Sequence, residues 1–189
     1  RCERTARIIS LLSGASRWIL LSHTKPDGDT LGCGSALWST GRSLGKDVVW
    51  GGPDPVPDSY LFLAGTDGFL SGVTLGSLSL DRDTVVVALD TSTAARSVAD
   101  LSGIPEGVPL VNMDHHHDNE GFGTAVWVDP TSSSVGEMCW MLLRNWGIPI
   151  PPEAAEALYT AIVTDCGNFA FSCTTPRTHQ AAADLLSLG

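Results

Sequence analysis

The sequence predicts an α/β fold in which helices flank a mostly parallel sheet. Short β-rich runs alternate along the chain with longer segments of helical periodicity, which is typical of strand–helix–strand units. The run from Thr84 to Leu89, TVVVAL, is almost entirely apolar and mostly β-branched, as expected of a parallel strand buried on both faces. With 189 residues, 43% of them hydrophobic, the chain has the size and composition of one domain with a proper core.

Four strands are predicted from runs of apolar residues. The first runs from Trp18 to His23, and the second from Val48 to Trp50, before a loop rich in glycine and proline from Gly51 to Pro57. The third is TVVVAL, at 84–89, and the fourth runs from Leu110 to Met113. Ligands of open α/β sheets bind beyond the carboxyl ends of the strands, so the residues that follow each run are candidates for a site.

Four helices are predicted between and after these strands. Thr30 to Gly45 has large apolar residues near helical spacing and a glycine at its end. Ser132 to Trp146 begins with serines and is followed by glycine and proline. The last two helices run from Pro152 to Val163 and from Pro176 to Leu188, and both begin with a proline, which the first turn of a helix tolerates.

Charge and composition exclude several classes of protein. The formal net charge is −10, from 21 acidic and 11 basic residues, which argues against a basic face that follows long duplex nucleic acid. No apolar run approaches the roughly 20 residues of a membrane span. The cysteines follow no zinc-binding spacing, so we expect reduced thiols in a cytoplasmic protein. They are Cys2, Cys33, Cys139, Cys166 and Cys173.

Carboxylates and imidazoles follow the predicted strands. Four of the five histidines of the chain fall into these clusters. Each residue alone has an ordinary explanation, such as a helix cap, a turn or a solvated loop, but their co-occurrence at the ends of core elements indicates a site. The residues are His23, Asp27 and Asp29 after the first strand, Asp90 after the third, Asp114 to Asp118 after the fourth, and Asp165 near the end of the helix from Pro152.

The carboxylates of this set predict bound divalent cations. Gly28 permits a sharp turn, so that Asp27 and Asp29 can point into one pocket, and Asp29 is also placed to cap the helix that follows. Together with Asp90 and Asp165, these two residues would repel one another strongly in a cleft of low dielectric constant. Two divalent cations would neutralise the four charges. Carboxylate and imidazole without thiolate suit manganese or iron better than structural zinc.

Five stretches of the sequence carry the candidate ligands and their neighbours: SHTKPDGDTLG from Ser22, ALDTS from Ala88, NMDHHHDN from Asn112, VDPTSSS from Val128 and TDCGNF from Thr164. As an ordered set, these motifs resemble the DHH phosphoesterase superfamily, and within it the branch of oligoribonuclease/PAP phosphatases (nanoRNases) and cyclic-dinucleotide phosphodiesterases. The resemblance implies a DHH catalytic domain over residues 1–189. Relatives carry a second domain, DHHA1, with a glycine-rich basic loop that binds the far end of the substrate, and we expect this domain to be absent from this chain.

The resemblance also implies two metal positions, occupied most often by manganese, that share Asp90 as a bridge. The implied ligands are His23, Asp27 and Asp90 for one cation and Asp29, Asp90, His115 and Asp165 for the other.

Further roles around these positions are implied in the same way. His116 is expected to be catalytic and to face the substrate phosphate, while Asp114 orients an imidazole. Arg96 and Asn119 are expected to contact phosphate or sugar. Ser134, with Ser133 beside it, either presents a helix N-terminus to a phosphate or is an ordinary helix cap.

The function expected from the resemblance is hydrolysis of short oligoribonucleotides and dinucleotides, and of adenosine 3′,5′-bisphosphate. Three alternatives stay open: a manganese-dependent inorganic pyrophosphatase, a RecJ-type single-strand exonuclease, and a non-catalytic nucleotide-binding DHH module. The scarcity of basic residues counts against the exonuclease, whose strand-tracking groove should be basic. The presence of every expected ligand counts against the non-catalytic module. The expected partners are a small nucleotide or short single-stranded RNA, without a membrane, and a homodimer is left open.

Overall fold

The computed structural model describes residues 2–98 and 100–189. In this part of the chain, six strands form one sheet in the order β3-β2-β1-β4-β5-β6, and every neighbouring pair is parallel. The prediction of an α/β fold with a mostly parallel sheet is therefore confirmed. The strands are β1 (Arg17–Leu21), β2 (Asp47–Gly52), β3 (Leu70–Ser71), β4 (Thr84–Leu89), β5 (Leu110–Asp114) and β6 (Ala125–Val128).

Helices follow and precede these strands, and short 3-10 turns fill the connections from β2 to β5. None of the helices in the described ranges is both long and apolar enough to cross a membrane. The α-helices are α1 (Cys2–Gly14), α2 (Gly28–Ser43), α3 (Val135–Trp146), α4 (Pro152–Asp165) and α5 (Pro176–Leu186).

Several boundaries differ from the sequence prediction. Helix α2 begins at Gly28 rather than Thr30, because Asp27 and not Asp29 caps it. Gly51 and Gly52 belong to β2 and not to the following loop, since Gly51 pairs with β1 and both glycines pair with the short strand β3. Helix α1 and strands β3 and β6 were not predicted.

The two faces of the sheet are covered differently. Trp18 and Leu20 of β1 point into a large core that contains residues of all five α-helices. Ile19 and Leu21, the alternating residues of the same strand, point into a smaller core formed with the connections that precede β4 and β5. Because both faces are buried, the central strands are continuously apolar.

Helices α2 and α4 lie unusually close together. A side-chain Cβ at Gly32 of α2 would come within 2.4 Å of the backbone oxygen of Ala157 of α4. One at Gly28 would come within 2.2 Å of Thr164 Oγ1. The close approach brings the first turn of α2 beside the last turn of α4, at the carboxyl edge of the sheet, where both helices carry aspartates.

Candidate metal centre

The structure brings the sequence-predicted aspartates and histidines together at the carboxyl ends of β1, β4 and β5. Among the described residues, three groups have ligand atoms that all lie within 4.8 Å of one another. Two of them overlap the two sets that the resemblance implied, and the third joins His116 to Asp90 and His115. The groups are His23–Asp27–Asp90, Asp29–His115–Asp165 and Asp90–His115–His116.

His23 follows β1 and is almost completely buried. Its Nδ1 is 2.8 Å from the carbonyl oxygen of Thr24. A carbonyl can only accept, so Nδ1 carries a proton, and Nε2 is the nitrogen that can bind a cation once its own proton is lost. That Nε2 lies 3.7 Å from Asp27 Oδ1 and 3.4 Å from Asp90 Oδ2. Burial alone lowers the pKa of His23, but the two carboxylates outweigh it and raise the pKa to about 10.

Asp27 has two functions in the first group. Its Oδ1 accepts hydrogen bonds from the backbone amides of Asp29 and Thr30, at 3.1 and 3.3 Å, and so caps α2. Burial raises the pKa of Asp27, but the contact with His23 outweighs burial and lowers the pKa below its usual value. The carboxylate is more than half exposed, so it forms the open side of the group.

Asp29 caps a different helix from the one predicted. It is buried, and its two oxygens accept hydrogen bonds from Val135 N and Gly136 N, at 2.7 and 2.8 Å, at the beginning of α3. Burial raises the pKa of Asp29, and the charges of Asp90 and Asp165 raise it further, so that it lies well above its usual value despite the α3 amides.

His115 is fixed in the same way as His23. Its Nδ1 lies 3.3 Å from the carbonyl oxygen of Ser132, which leaves Nε2 to face the carboxylates. The distances from Nε2 are 3.4 Å to Asp165 Oδ2 and 3.9 Å to Asp29 Oδ2. Burial raises the pKa of Asp165, His115 lowers it, and the charges of Asp90 and Asp27 raise it again, to about 6.

Asp90 lies between the two groups. Its backbone has a φ of +56°, which is uncommon for a residue other than glycine. Asp90 Oδ2 faces His23, and Asp90 Oδ1 is 3.7 Å from His115 Nε2. Asp90 Oδ1 is buried, and none of the residues that the structure describes donates a hydrogen bond to it. A buried carboxylate oxygen without a donor requires an ion or water as its partner.

The residues present fit divalent cations. Distances of 3.4 to 3.9 Å between imidazole nitrogens and carboxylate oxygens exceed those of good hydrogen bonds, but they suit atoms that share one ion. The nearby Cys33 donates its thiol hydrogen to Asp29 Oδ1 at 3.5 Å. Burial and the neighbouring Cys139 thiol raise the pKa of Cys33, so it stays a neutral thiol. The donor set is oxygen and imidazole nitrogen.

Asp114 holds the ring of His116. Asp114 Oδ1 accepts a hydrogen bond from His116 Nδ1 at 2.7 Å, and Oδ2 accepts one from Asn119 at 2.6 Å. Burial raises the pKa of Asp114, but these hydrogen bonds outweigh burial and lower it. The same contact with Asp114 raises the pKa of His116 to about 8 against the opposing effect of burial. The His116 side chain is 38% exposed and therefore accessible to a substrate.

The three residues expected to contact substrate have different surroundings. Arg96 is exposed at the end of a short 3-10 turn, and its charge acts on His116 by lowering the pKa of that imidazole. The Asn119 side chain donates to Asp114, to Asn112 and to the Thr91 carbonyl, so it stabilises the loop after β5.

Ser134 is the N-cap of α3, since its Oγ accepts from the Glu137 amide at 3.0 Å. This is the helix-cap role that the sequence left open. The next two amides of the helix, at Val135 and Gly136, donate to Asp29 and are therefore occupied within the protein.

Glu137 and Arg177 were not identified from the sequence. Arg177 Nε donates a hydrogen bond to Glu137 Oε1, and Glu137 is completely buried. The stretch from Ser134 to Glu137, SVGE, has the S-x-x-E spacing of a capping box, which would have indicated Glu137. Its carboxylate, however, reaches Ser133 and Arg177, contacts that depend on tertiary structure.

Known proteins resemble this chain in sequence and in fold. The chain is 34% identical over 170 residues to a protein of Thermus thermophilus named bifunctional oligoribonuclease and PAP phosphatase NrnA, covering 90% of this chain and 49% of that protein. It is 30% identical over 175 residues to the protein of the same name from Bacillus subtilis, covering 89% and 52%. The chain thus spans about half the length of these curated relatives.

A solved structure also matches. The crystal structure of an exopolyphosphatase-related protein from Bacteroides fragilis superposes with a TM-score of 0.89 at 25% sequence identity, covering 99% of this chain and 57% of that one. Residues 17–162 match the family model described as the DHH family, N-terminal domain. The chain therefore belongs to the DHH family of phosphoesterases.

Proposed function

We propose that this chain is the catalytic domain of a two-metal phosphoesterase that hydrolyses short oligoribonucleotides, dinucleotides and adenosine 3′,5′-bisphosphate. The observation that supports it most strongly is the position of Asp90, which is buried, lacks a donor on Oδ1 and lies between two Asp/His groups. The named functions of the relatives from T. thermophilus and B. subtilis support the substrate class.

Two cations are assigned to the two groups. His23, Asp27 and Asp90 would hold one, while Asp29, Asp90, His115 and Asp165 would hold the other. Manganese is the proposed metal, because the ligands are carboxylates and imidazoles without thiolate. A bound pair of divalent cations supplies Lewis acidity toward phosphoryl oxygens and lowers the pKa of water from about 15.7 toward about 7.

The side chains around the cations are assigned the remaining steps. His116 has a pKa of about 8 and is protonated at neutral pH, so its free Nε2 can donate a proton to the leaving oxygen of the ester. Asp114 holds the ring through Nδ1 and stabilises the positive charge. Arg96, exposed beside this imidazole, provides a cation for a substrate phosphate as it approaches.

Small substrates fit the charge of the domain. A net charge of −10 repels a long polyanion, whereas a substrate with one or two phosphates needs only the local field of the cations. We therefore propose that the enzyme acts at the ends of short nucleotides and not on long single strands.

The experiment is Mn²⁺-dependent release of product from linear diadenylate, adenosine 3′,5′-bisphosphate and pyrophosphate. We expect the chain to hydrolyse the two nucleotides, and we expect a chelator to abolish this activity. Asp90→Asn removes the ligand that the two cations would share. Loss of a residue that only hydrogen-bonds to a metal ligand typically lowers activity by about 10- to 100-fold, so we expect the activity of this variant to fall by more than about 100-fold. Asp67→Asn, at an exposed aspartate on a 3-10 turn, is the control and should keep full activity.

Two results would contradict the proposal. A chain that binds no Mn²⁺ would refute the metal centre, and a preference for pyrophosphate over both nucleotides would assign the enzyme to the pyrophosphatases instead.

A further inference from the structure

A buried ion pair connects α3 to α5 behind the candidate metal centre. Glu137, in the first turn of α3, is completely buried, and its Oε1 accepts a hydrogen bond from Arg177 Nε. Its Oε2 accepts from Ser133 Oγ at 2.7 Å and from Thr178 Oγ1 at 2.8 Å. These donors come from α5 and from the segment just before α3.

The guanidinium of Arg177 holds the same segment from the other side. Its Nη2 donates to the carbonyl oxygen of Thr131 and to Ser132 Oγ, both at 3.1 Å. The segment 131–133 therefore has one anchor on its backbone, from Arg177, and another on its Ser133 hydroxyl, from Glu137. An arginine suits this role because its planar donors can bridge several acceptors at once.

This anchored segment contacts two of the proposed ligands. The Ser132 carbonyl fixes the ring of His115 through Nδ1, and the first amides of α3 donate to Asp29. Glu137 follows those amides directly in the same helical turn. By contrast, the ring of His23 is held by the Thr24 carbonyl, on a loop that the anchored segment does not include.

We propose that Arg177 and Glu137 are positioning residues for one of the two cation positions, the one formed by Asp29, His115 and Asp165. The inference rests on the proposed function, because it requires that the chain bind metal. Buried ion pairs contribute little net stability compared with apolar packing. Partners that orient metal-binding imidazoles, however, typically change metal affinity by about 10- to 100-fold. The pair therefore acts on one site and leaves the His23 position unchanged.

The test is a calorimetric titration of the chain with MnCl₂ after treatment with a chelator. Wild-type chain should bind two Mn²⁺ ions. In Arg177→Met, which keeps the apolar stem and removes the guanidinium, one of the two sites should weaken by about 10- to 100-fold while the other keeps its affinity. Arg177→Lys restores the charge but not the bridging fork, so we expect an intermediate loss.

Arg144→Met is the matched control. Arg144 also forms an ion pair between α3 and α5, with Asp184, but that pair is remote from the segment before α3. Its loss should leave both Mn²⁺ affinities unchanged. If Arg177→Met does not fold, Glu137→Gln removes the carboxylate charge while keeping the shape of the side chain, and the same selective weakening is expected.

The outcomes separate this inference from the proposed function. A wild-type chain without Mn²⁺ binding contradicts the proposed function and the inference with it. Two Mn²⁺ sites that are unchanged in the folded Arg177 and Glu137 variants, or that weaken equally, overturn only the inference. Thermal melting of each variant in chelator shows whether it is folded before metal is added.

Discussion

Asp114 holds two side chains of the loop after β5, although it is not among the proposed metal ligands. One oxygen holds His116 and the other holds Asn119. The resemblance predicts that Asp114 orients an imidazole. In the structure it is a buried carboxylate with two donors, and its contact with His116 raises the pKa of that imidazole to about 8. The protonation state of His116 therefore depends on a carboxylate outside the proposed metal ligands.

Asp114→Asn is expected to move the pH profile of the enzyme. Without the carboxylate, the pKa of His116 should fall from about 8 toward its usual value of about 6.5. Because the proposed proton donor is active when protonated, activity is lost as the pH rises through its pKa. The alkaline limb of kcat, measured from about pH 5.5 to about pH 9, should therefore shift to lower pH.

The control for that shift is Asp118→Asn, which changes an exposed aspartate of the same loop and should leave the profile in place. An alkaline limb that stays where it is in Asp114→Asn would show that His116 is not the proton donor.

At the scale of secondary-structure elements, the sequence predicted the longer strands and helices better than it predicted the contacts between them. The strand Thr84–Leu89 has the predicted bounds because its composition is unambiguous. Strand β3 has two residues and β6 has four, too few to show a periodicity. Helix α1 was overlooked, although the spacing of its buried Ile8 and Leu12 is helical.

In the candidate site, too, the residues could be predicted from the sequence but their contacts could not. Acidic residues after strands were visible in the sequence, so the aspartates that the structure brings together could be named. Their partners could not be named, since the amides that bind Asp29 belong to a helix more than a hundred residues away in sequence. The orientation of each carboxylate follows from tertiary packing, which no local pattern encodes.

Gly32→Ala is expected to force α2 and α4 apart. The added methyl group would meet the backbone oxygen of Ala157 at 2.4 Å, and a backbone atom cannot rotate away. We expect a loss of about 1–3 kcal/mol in the free energy of unfolding, against a gain of about 1 kcal/mol from helix propensity. Urea denaturation measures the difference, and Mn²⁺ affinity should fall too, because these helices carry Asp29 and Asp165.

Gly14→Ala is the matched control, since the added methyl group at that helix end would have no described residue within 4 Å apart from its chain neighbours and the backbone of its own helix. It should be neutral or slightly stabilising. Equal effects of the two substitutions would mean that the contact between α2 and α4 is not tight.

At the scale of the whole molecule, protons and the proposed cations should compete for the same edge of the sheet. Folding raises the pKa of His23 from 6.5 to about 10 and that of Asp165 from 3.8 to about 6. A group with a raised pKa stabilises the folded state below its usual pKa, and that contribution is lost as the pH rises through the raised value. The metal-free chain should therefore lose stability as the pH rises from about 4 to about 10.

Metal stabilisation should consequently increase with pH. Bound cations must displace the proton of His23, and removing that proton costs less free energy as the pH rises toward the pKa of the imidazole. We expect the rise in Tm between chelator and MnCl₂ to be larger at about pH 8 than at about pH 6. Thermal melts of wild type and Asp90→Asn measure it, and the variant should show little rise at either pH. An equal rise at both values would contradict the proposed competition.

The contact between Asp29 and α3 also constrains biosynthesis. Asp29 is synthesised 106 residues before Val135, and Asp165 is added later still. A nascent chain on the ribosome therefore exposes the His23–Asp27–Asp29 stretch long before it contains the amides that will hold Asp29. The complete pair of proposed metal positions can therefore exist only after α3 and α4 have docked.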